Sequence, residues 1–162
     1  MIKQMQSFLD DFRKTIETAE NRLLSISEHQ SQISRAEGKW SPKEIIGHLI
    51  DSAANNHLRL VRAQFNDELA FSGYEQKDWV RVQGYNQEPW HQLVQLWKTH
   101  YNMHLLHVIS LVPEPTRIKP RSTHSLDQLA KTVSKGDFVT LDYFMRDYVA
   151  HLKNHVAQIT DP

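Results

Sequence analysis

The sequence predicts an all-α protein in which one domain, residues 1–162, forms a four-helix bundle. The first observation is that the chain has only five glycines and six prolines, clustered between long segments, which favours helices over a many-stranded sheet. The second is that four of these segments repeat apolar residues at three- and four-residue spacing, so each predicted helix has one apolar face. Four such helices bury their faces most simply by packing into a bundle.

The two helices in the first half of the chain are predicted from different signals. Apolar periodicity alone predicts the first helix, from about Lys3 to Glu28. The second has a defined start, because Ser41 stands at the N-cap, Pro42 at the first helical position and Glu44 at the third, which is a capping box with the preferred proline. Its apolar stripe fades after Phe65.

A long connection, Leu69–Glu88, is predicted between the second and third helices. It holds Tyr74, Trp79 and Tyr85, which are too many aromatic residues for a solvated linker. We therefore expect a loop that packs across one end of the bundle. For Trp79 and Tyr85 we favour packing of this loop over a role in the wall of a pocket.

Proline and threonine delimit the other two helices. Pro89 opens the third helix and Pro113 ends it. A mixed region, 114–137, follows, with one or two helical turns at Leu126–Lys131, and Thr140 then caps the last helix. The predicted core stripe of the third helix is Leu93, Trp97, Tyr101, Leu105, Val108 and Val112.

The composition excludes several classes of protein. The chain has no cysteine, which excludes a disulfide framework, a cysteine-based zinc site and a cysteine nucleophile. Lys and Arg together number 19, as do Asp and Glu, whereas nucleic-acid binders usually carry a basic excess. No apolar run approaches the ~20 residues that span a bilayer, and the N-terminus lacks a signal-peptide pattern. We therefore expect a cytoplasmic protein with neither nucleic acid nor membrane as a partner.

Ten histidines are the unusual feature of this composition, and two of them form a candidate pair of metal ligands. His151 and His155 are four residues apart on the last helix, ~40° apart on adjacent turns, beside Phe144 and Tyr148. Both could reach one ion, and a catalytic zinc-type site needs a third protein ligand and leaves a position for water. The alternative is that both are ordinary histidines at the edge of the core or in solvent.

A second set of histidines lies on the third helix. His100, His104 and His107 have i, i+4, i+7 spacing, so they could in principle bind a metal too. As for the pair on the last helix, the alternative is a set of solvated or core-edge histidines. Spacing alone does not choose between the two sets.

His48 stands in a more informative context on the second helix. It shares a stripe with Ser52, Asn55 and Arg59, and Asp51 lies just beside it. The stripe is polar but nearly free of lysine and glutamate, which suits a wet pocket better than a solvated helix face. An exposed stripe that happens to lack lysine is the alternative.

Several of these segments resemble a known family. Residues 40–52 (WSPKEIIGHLIDS), followed by Asn55 and Arg59, are similar to the DinB-like superfamily, and nearest to its YfiT-type branch of metal-dependent hydrolases, which is related to the bacillithiol S-transferases. The segment Tyr74–Tyr85 and the ending 151–159 (HLKNHVAQI) also resemble that branch. The resemblance covers most of the chain, from the first of these motifs to the end, and the first and last motifs together are fairly specific.

The resemblance implies a bundle of the up-and-down type with a long crossover connection. It also implies a homodimer and one divalent metal ion, nickel or zinc, on His48, His151 and His155. Related enzymes act on small molecules with low-molecular-weight thiols, so it implies a small-molecule substrate and a thiol cosubstrate. The histidines of the third helix have no counterpart in the family motif, so we expect a structural or interface role for them.

The expected function is that of a metal-dependent enzyme, a thiol S-transferase or a hydrolase. Three imidazoles leave a position on the ion open, and any sulfur nucleophile has to arrive as a small-molecule thiol because the chain has no cysteine. Asp51, Asn55 and Arg59 are the candidate catalytic or substrate-binding residues, although a salt bridge from Asp51 to Arg59, or polar packing, would explain them equally. The alternative functions are a non-catalytic metal- or ligand-binding bundle and a purely structural dimer.

Overall fold

The computed structural model of the protein describes residues 2–126, 133, 134 and 136–161. Within these residues the structure is helical, apart from the isolated β-bridges that join Leu69 to His124 and Arg121 to Val139. The elements are α1 (Ile2–Leu24), α2 (Glu28–Ser31), α3 (Pro42–Ala63), α4 (Gln76–Gln83), a 3-10 turn (Tyr85–Gln87), α5 (Trp90–Gln95), a π-helical segment (Leu96–Met103), α6 (His104–Ser110), α7 (Glu114–Ile118) and α8 (Leu141–Thr160). Because α5, the π-helical segment and α6 follow one another without a gap, they are called the third long helix below.

Four long helices make up the bundle: α1, α3, the third long helix and α8. The packing of α1 is against α8 and the third long helix, and α3 packs against the same two. The first two long helices, α1 and α3, therefore lie diagonally opposite each other in the bundle. The last two, the third long helix and α8, occupy the other diagonal. This arrangement places α3 directly beside α8.

The N-terminal helix is shorter than predicted, since α1 ends at Leu24 and not near Glu28. The Ser27 hydroxyl accepts a hydrogen bond from the backbone N–H of Gln30, and the Gln30 side chain accepts one from the N–H of Ser27. This capping box starts a separate short helix, α2. The predicted capping box of Ser41, by contrast, is present at the start of α3.

The connection predicted as a loop contains a helix, α4, and the 3-10 turn that follows it. Gly84 ends α4 in the left-handed conformation, with φ of 64°, which glycine adopts without steric cost. The eight residues of α4 have a single fully buried position, Val80, which is too few for a periodic apolar pattern to show. Tyr85 is buried as predicted for packing, whereas Trp79 is 39% exposed.

The third long helix departs from the predicted stripe because of its π-helical segment. The wider turn brings Asn102, five residues after Trp97, into the core in place of Tyr101. The Asn102 amide donates to the carbonyl of Trp97 over 2.9 Å, and its Oδ1 accepts from the Tyr148 hydroxyl over 2.6 Å. A buried polar contact thus ties this helix to α8 across the diagonal of the bundle.

The last helix begins as predicted, because the Thr140 hydroxyl accepts a hydrogen bond from the N–H of Tyr143 over 3.1 Å. The turns predicted at Leu126–Lys131 fall outside the described residues, apart from Leu126. Among the helices that the structure describes, none is long and apolar enough to cross a membrane.

Candidate metal centre

Three imidazoles meet between α3 and α8. His48 lies in the N-terminal half of α3, whereas His151 and His155 lie in the C-terminal half of α8. The two helices run antiparallel, so the beginning of one faces the end of the other. The structure therefore brings together the three histidines that the family resemblance singled out.

The distances within this group suit a shared ion. His48 Nε2 and His151 Nε2 are 3.3 Å apart, and one ring nitrogen from each of the three histidines lies within 4.8 Å of the other two. In a tetrahedral site with metal–nitrogen bonds of ~2.0–2.1 Å, two ligand nitrogens are separated by roughly 3.3 Å. No other group of three histidine, aspartate or glutamate side chains in the described chain meets the same distance limit.

The histidines of this group are held in the neutral form. Burial, reinforced by His155 and then His151, lowers the pKa of His48 to about 3. Burial and His155 lower the pKa of His151 to about 4, and burial also lowers the pKa of His155. Neutral imidazole is the form that coordinates metal ions, so the group carries the right donor chemistry at neutral pH.

Two neighbours orient the rings. Trp40 packs against His48 with ring centroids 5.2 Å apart. Gln158 Oε1 lies 3.2 Å from His155 Nδ1, and with the proton on Nδ1 this contact leaves Nε2 of His155 as the free ligand atom.

A cavity of about 130 Å³ opens beside His48 and His151. A second cavity, of about 170 Å³, adjoins it and shares four of its wall residues: Arg59, Tyr74, Gln76 and Phe144. The remaining wall residues of the first cavity are Ser52, Asn56, Asp147 and Tyr148. The crossover connection and α8 thus enclose the space next to the imidazoles.

Some of these wall residues were not predicted. Gln76 comes from the crossover, where no local pattern marks it. Asp147 could have been found, because it precedes His151 by four residues and so shares its stripe on α8.

Asp51 is buried next to the crossover and does not line the cavity of the histidines. Its Oδ1 accepts hydrogen bonds from the Gln83 amide and, over 2.7 Å, from the Tyr85 hydroxyl. Burial raises the pKa of Asp51, and these two bonds oppose that shift. The salt bridge from Asp51 to Arg59, which the sequence left open, is wrong. The side-chain hydrogen-bond partners of Asp51 are Gln83 and Tyr85 of the crossover.

The other two candidate residues, Asn55 and Arg59, both line an outer cleft, but only Arg59 also reaches the cavity beside His48. The Asn55 amide donates to the backbone carbonyl of Asp51 over 2.9 Å, and its side chain lines an outer cleft of about 630 Å³, away from the histidines. Arg59 lines this cleft and also the cavity beside His48. Its Nη2 donates to the carbonyl of Ser72 over 2.6 Å, and its guanidinium lies 5.5 Å from the ring centroid of Phe71.

The histidines of the third long helix lie elsewhere. The His104 ring contacts that of His57 on α3 in a tilted arrangement, with centroids 5.1 Å apart, and lies 6.4 Å from that of His107. His100 borders a separate cavity of about 600 Å³ near Tyr85. None of them belongs to the three-histidine group.

The chain was compared with known protein families, curated proteins and solved structures. The model of the DinB superfamily matches residues 11–159. A curated protein of Oceanobacillus iheyensis, named as a candidate metal-dependent hydrolase, is 29% identical over 66 residues, which span 41% of this chain and 38% of that protein. The structure of YfiT from Bacillus subtilis, described as a probable metal-dependent hydrolase with an unusual four-helix bundle topology, matches with a TM-score of 0.81 and 16% identity over 99% of this chain and 86% of that one. At this identity the likeness shows the fold, and it confirms the predicted four-helix bundle.

Proposed function

This chain belongs to the DinB superfamily, and we propose that it is an enzyme that binds one divalent metal ion through His48, His151 and His155 and acts on a small molecule. The observation that carries the proposal is the convergence of three neutral imidazoles from two helices within 4.8 Å. The descriptions of the Oceanobacillus protein and of YfiT as metal-dependent hydrolases support it.

The donor set fits nickel or zinc, since imidazole nitrogen suits both ions. Structural zinc sites use four protein ligands, whereas three ligands with an open position are the catalytic arrangement. A divalent ion at this place supplies Lewis acidity, which lowers the pKa of a water or a thiol and so provides a nucleophile at neutral pH.

The side chains around the imidazoles define where a substrate would bind. Tyr74 and Phe144 provide apolar walls, and Arg59 provides a positive charge, so the cavity can hold a small molecule with its reacting group toward His48 and His151. The reaction that we propose is transfer of a small-molecule thiol to an electrophile, or hydrolysis of an ester or amide. We also propose that the protein works as a homodimer.

Metal content is the first test. Elemental analysis of protein purified without an affinity tag should give about one nickel or zinc ion per chain. The His155→Ala variant should lose it, because two imidazoles hold an ion far more weakly than three. The matched control is His107→Ala, an exposed histidine outside the group, which should keep the ion. Unchanged metal content in the His155→Ala protein would contradict the ligand set.

Turnover is the second test. Zinc- and nickel-loaded protein should conjugate bacillithiol or a similar thiol to a chloroaromatic compound, or hydrolyse members of an ester and amide panel. Activity that survives in the His48→Ala protein would show that the ion is not the catalyst. Full metal loading without turnover on any member of the panel would favour the non-catalytic metal-binding bundle.

A further inference from the structure

The cavity beside the imidazoles holds a single arginine, and we propose that Arg59 binds a carboxylate of the substrate or of the thiol cosubstrate. The molecule that this enzyme acts on would then be a small carboxylic acid. This inference rests on the proposed function, because it names the chemical class of molecule that occupies the same cavity.

Among the described residues, Arg59 is held in place with most of its hydrogen-bonding capacity unused. One of its five N–H groups donates to the carbonyl of Ser72, and the ring of Phe71 lies 5.5 Å beneath the guanidinium. In the described part of the chain, no carboxylate forms an ion pair with it. A half-buried, oriented guanidinium with spare donors matches a carboxylate, which it can bind through two parallel hydrogen bonds.

Three acidic side chains near Arg59 have other partners. The carboxylate of Asp51 accepts from Gln83 and Tyr85. Asp147, which lines the same cavity, has interactions of its own. Asp67, in the outer cleft, is paired with Lys119. Within the described residues, the spare N–H groups of Arg59 are therefore open to an anion from outside the chain.

The helix geometry sets the length of the molecule that would fit. His48 and Arg59 are eleven positions apart on α3, which is three helical turns, so both side chains emerge on the same face about 16 Å apart along the axis. Side chains on a helix lean toward its N-terminus, and the longer Arg59 side chain leans further toward His48. The His48 ring leans the same way, and the imidazole–ion, ion–sulfur and guanidinium–carboxylate contacts take up part of the distance, which leaves on the order of 8 Å between the sulfur and the carboxylate of a bound molecule. A thiol and a carboxylate joined by about five methylene groups would span it.

The test uses two thiols of equal length, 6-mercaptohexanoate and 6-mercaptohexan-1-ol, and cobalt(II)-loaded protein. The absorption band of a cobalt–thiolate bond reports sulfur binding directly and needs no turnover. Wild-type protein should bind the acid about tenfold more tightly than the alcohol, as expected for one charge-assisted contact. In the Arg59→Gln protein this preference should fall to about one, with cobalt content and affinity for the alcohol unchanged. Arg59→Lys should keep part of the preference.

The matched control is Arg62→Gln, because Arg62 is an exposed arginine one turn further along that lines the outer cleft only. It should keep the full preference for the acid. A preference that persists in the Arg59→Gln protein, or that is lost equally in the Arg62→Gln protein, would overturn the inference.

A metal-free arm separates this inference from the proposed function. If the protein binds no cobalt, the proposed function fails, and Arg59 is then tested by saturation-transfer NMR of hexanoate with metal-free protein. A hexanoate signal in the wild type that disappears in the Arg59→Gln protein supports the carboxylate site. No signal in the wild type, or an equal signal in both proteins, overturns it. Circular dichroism of each variant confirms that the helices are intact.

Discussion

His48 is the residue that completes the three-histidine group, because it comes from a different helix than its two partners. It is 1% exposed, and its Nε2 is 3.3 Å from that of His151. An ion bound there would be held only by the folded chain, since the unfolded chain does not keep α3 and α8 together. Metal binding should therefore stabilise the fold through linkage.

The resulting prediction concerns thermal stability. Adding zinc or nickel at 100 times its Kd to metal-free protein should stabilise it by about 2.7 kcal/mol, which raises the melting temperature by roughly 5–10 °C. In the His48→Ala protein the increase should be absent, whereas His107→Ala should show it in full. Differential scanning calorimetry with and without EDTA measures the metal-dependent rise in melting temperature of each protein. An equal increase in the His48→Ala protein would place the stabilising ion elsewhere.

Asp142 is a second residue whose charge matters, this time for stability. Its carboxylate accepts from the largely buried Arg117 over 2.6 Å and from Arg146 over 2.7 Å. Burial raises the pKa of Asp142, but these hydrogen bonds outweigh it and hold the pKa below the ordinary value of 3.8. The charged form thus stabilises the fold at neutral pH, and this stabilisation is lost as the pH falls through the lowered pKa.

We predict that Asp142→Asn lowers the free energy of unfolding by about 1 kcal/mol at pH 7, a figure discounted for solvent screening. The difference from the wild type should shrink as the pH falls below the ordinary carboxyl pKa of 3.8 and through the lowered pKa of Asp142, because the wild-type carboxyl then becomes protonated too. Urea denaturation of both proteins at several pH values measures this difference in the free energy of unfolding. A difference that stays constant from pH 7 to pH 2 would show that charge is not the cause.

At the scale of the elements, the crossover connection is seated on α3 through a close approach at Gly47. A Cβ atom added to Gly47 would lie 2.1 Å from Cδ2 of Tyr85 and 2.6 Å from its Cγ. Cγ is attached near the backbone, so the ring cannot simply swing away. The hydroxyl of the same tyrosine donates to Asp51, so that Gly47, Tyr85 and Asp51 together hold the end of the crossover on the helix.

We therefore predict that Gly47→Ala destabilises the fold, although alanine is the better helix former. The overlap should cost about 1–3 kcal/mol, which exceeds the gain of up to ~1 kcal/mol in helix propensity. Chemical denaturation measures the difference. The matched control is Gly73→Ala, where an added Cβ meets nothing within 4 Å, and its stability should be unchanged or slightly higher. Equal stability of Gly47→Ala and wild type would contradict this packing.

At the scale of the whole molecule, exposed apolar side chains on and just after α3 suggest an interface between two copies. Leu58 is 53% exposed and Phe65 is 84% exposed, seven positions apart, which is two helical turns.

We predict that the protein is a homodimer and that Phe65→Ser weakens it, because the substitution removes apolar area from the interface. Light scattering at micromolar concentration should give twice the monomer mass of 19.0 kDa for the wild type and a lower average for the variant. Phe138→Ser is the control, since Phe138 is similarly exposed, at 74%, but lies outside α3. A mass of 19.0 kDa for the wild type would refute the dimer.

Local sequence signals were sufficient for much of this molecule, because helix caps act over three or four residues. The capping box of Ser41 and the cap of Thr140 located the starts of α3 and α8 correctly. The same short range explains why His151 and His155 could be recognised as a possible pair. Two errors have a different cause, since α2 has only four residues and α4 has a single buried position, so neither helix shows an apolar period.

Residue patterns, taken without the family resemblance, left open which histidine completes the group, and the tertiary structure decided this and which polar residues reach it. The diagonal arrangement of the long helices put α3 beside α8, and of the histidines on α3 it is His48 that meets the pair. The π-helical segment places Asn102 in the core. Asp51 accepts a hydrogen bond from Tyr85 of the crossover and forms no ion pair with Arg59. These outcomes depend on contacts between segments far apart in the chain, so the free energy of packing selects them and no local pattern encodes them.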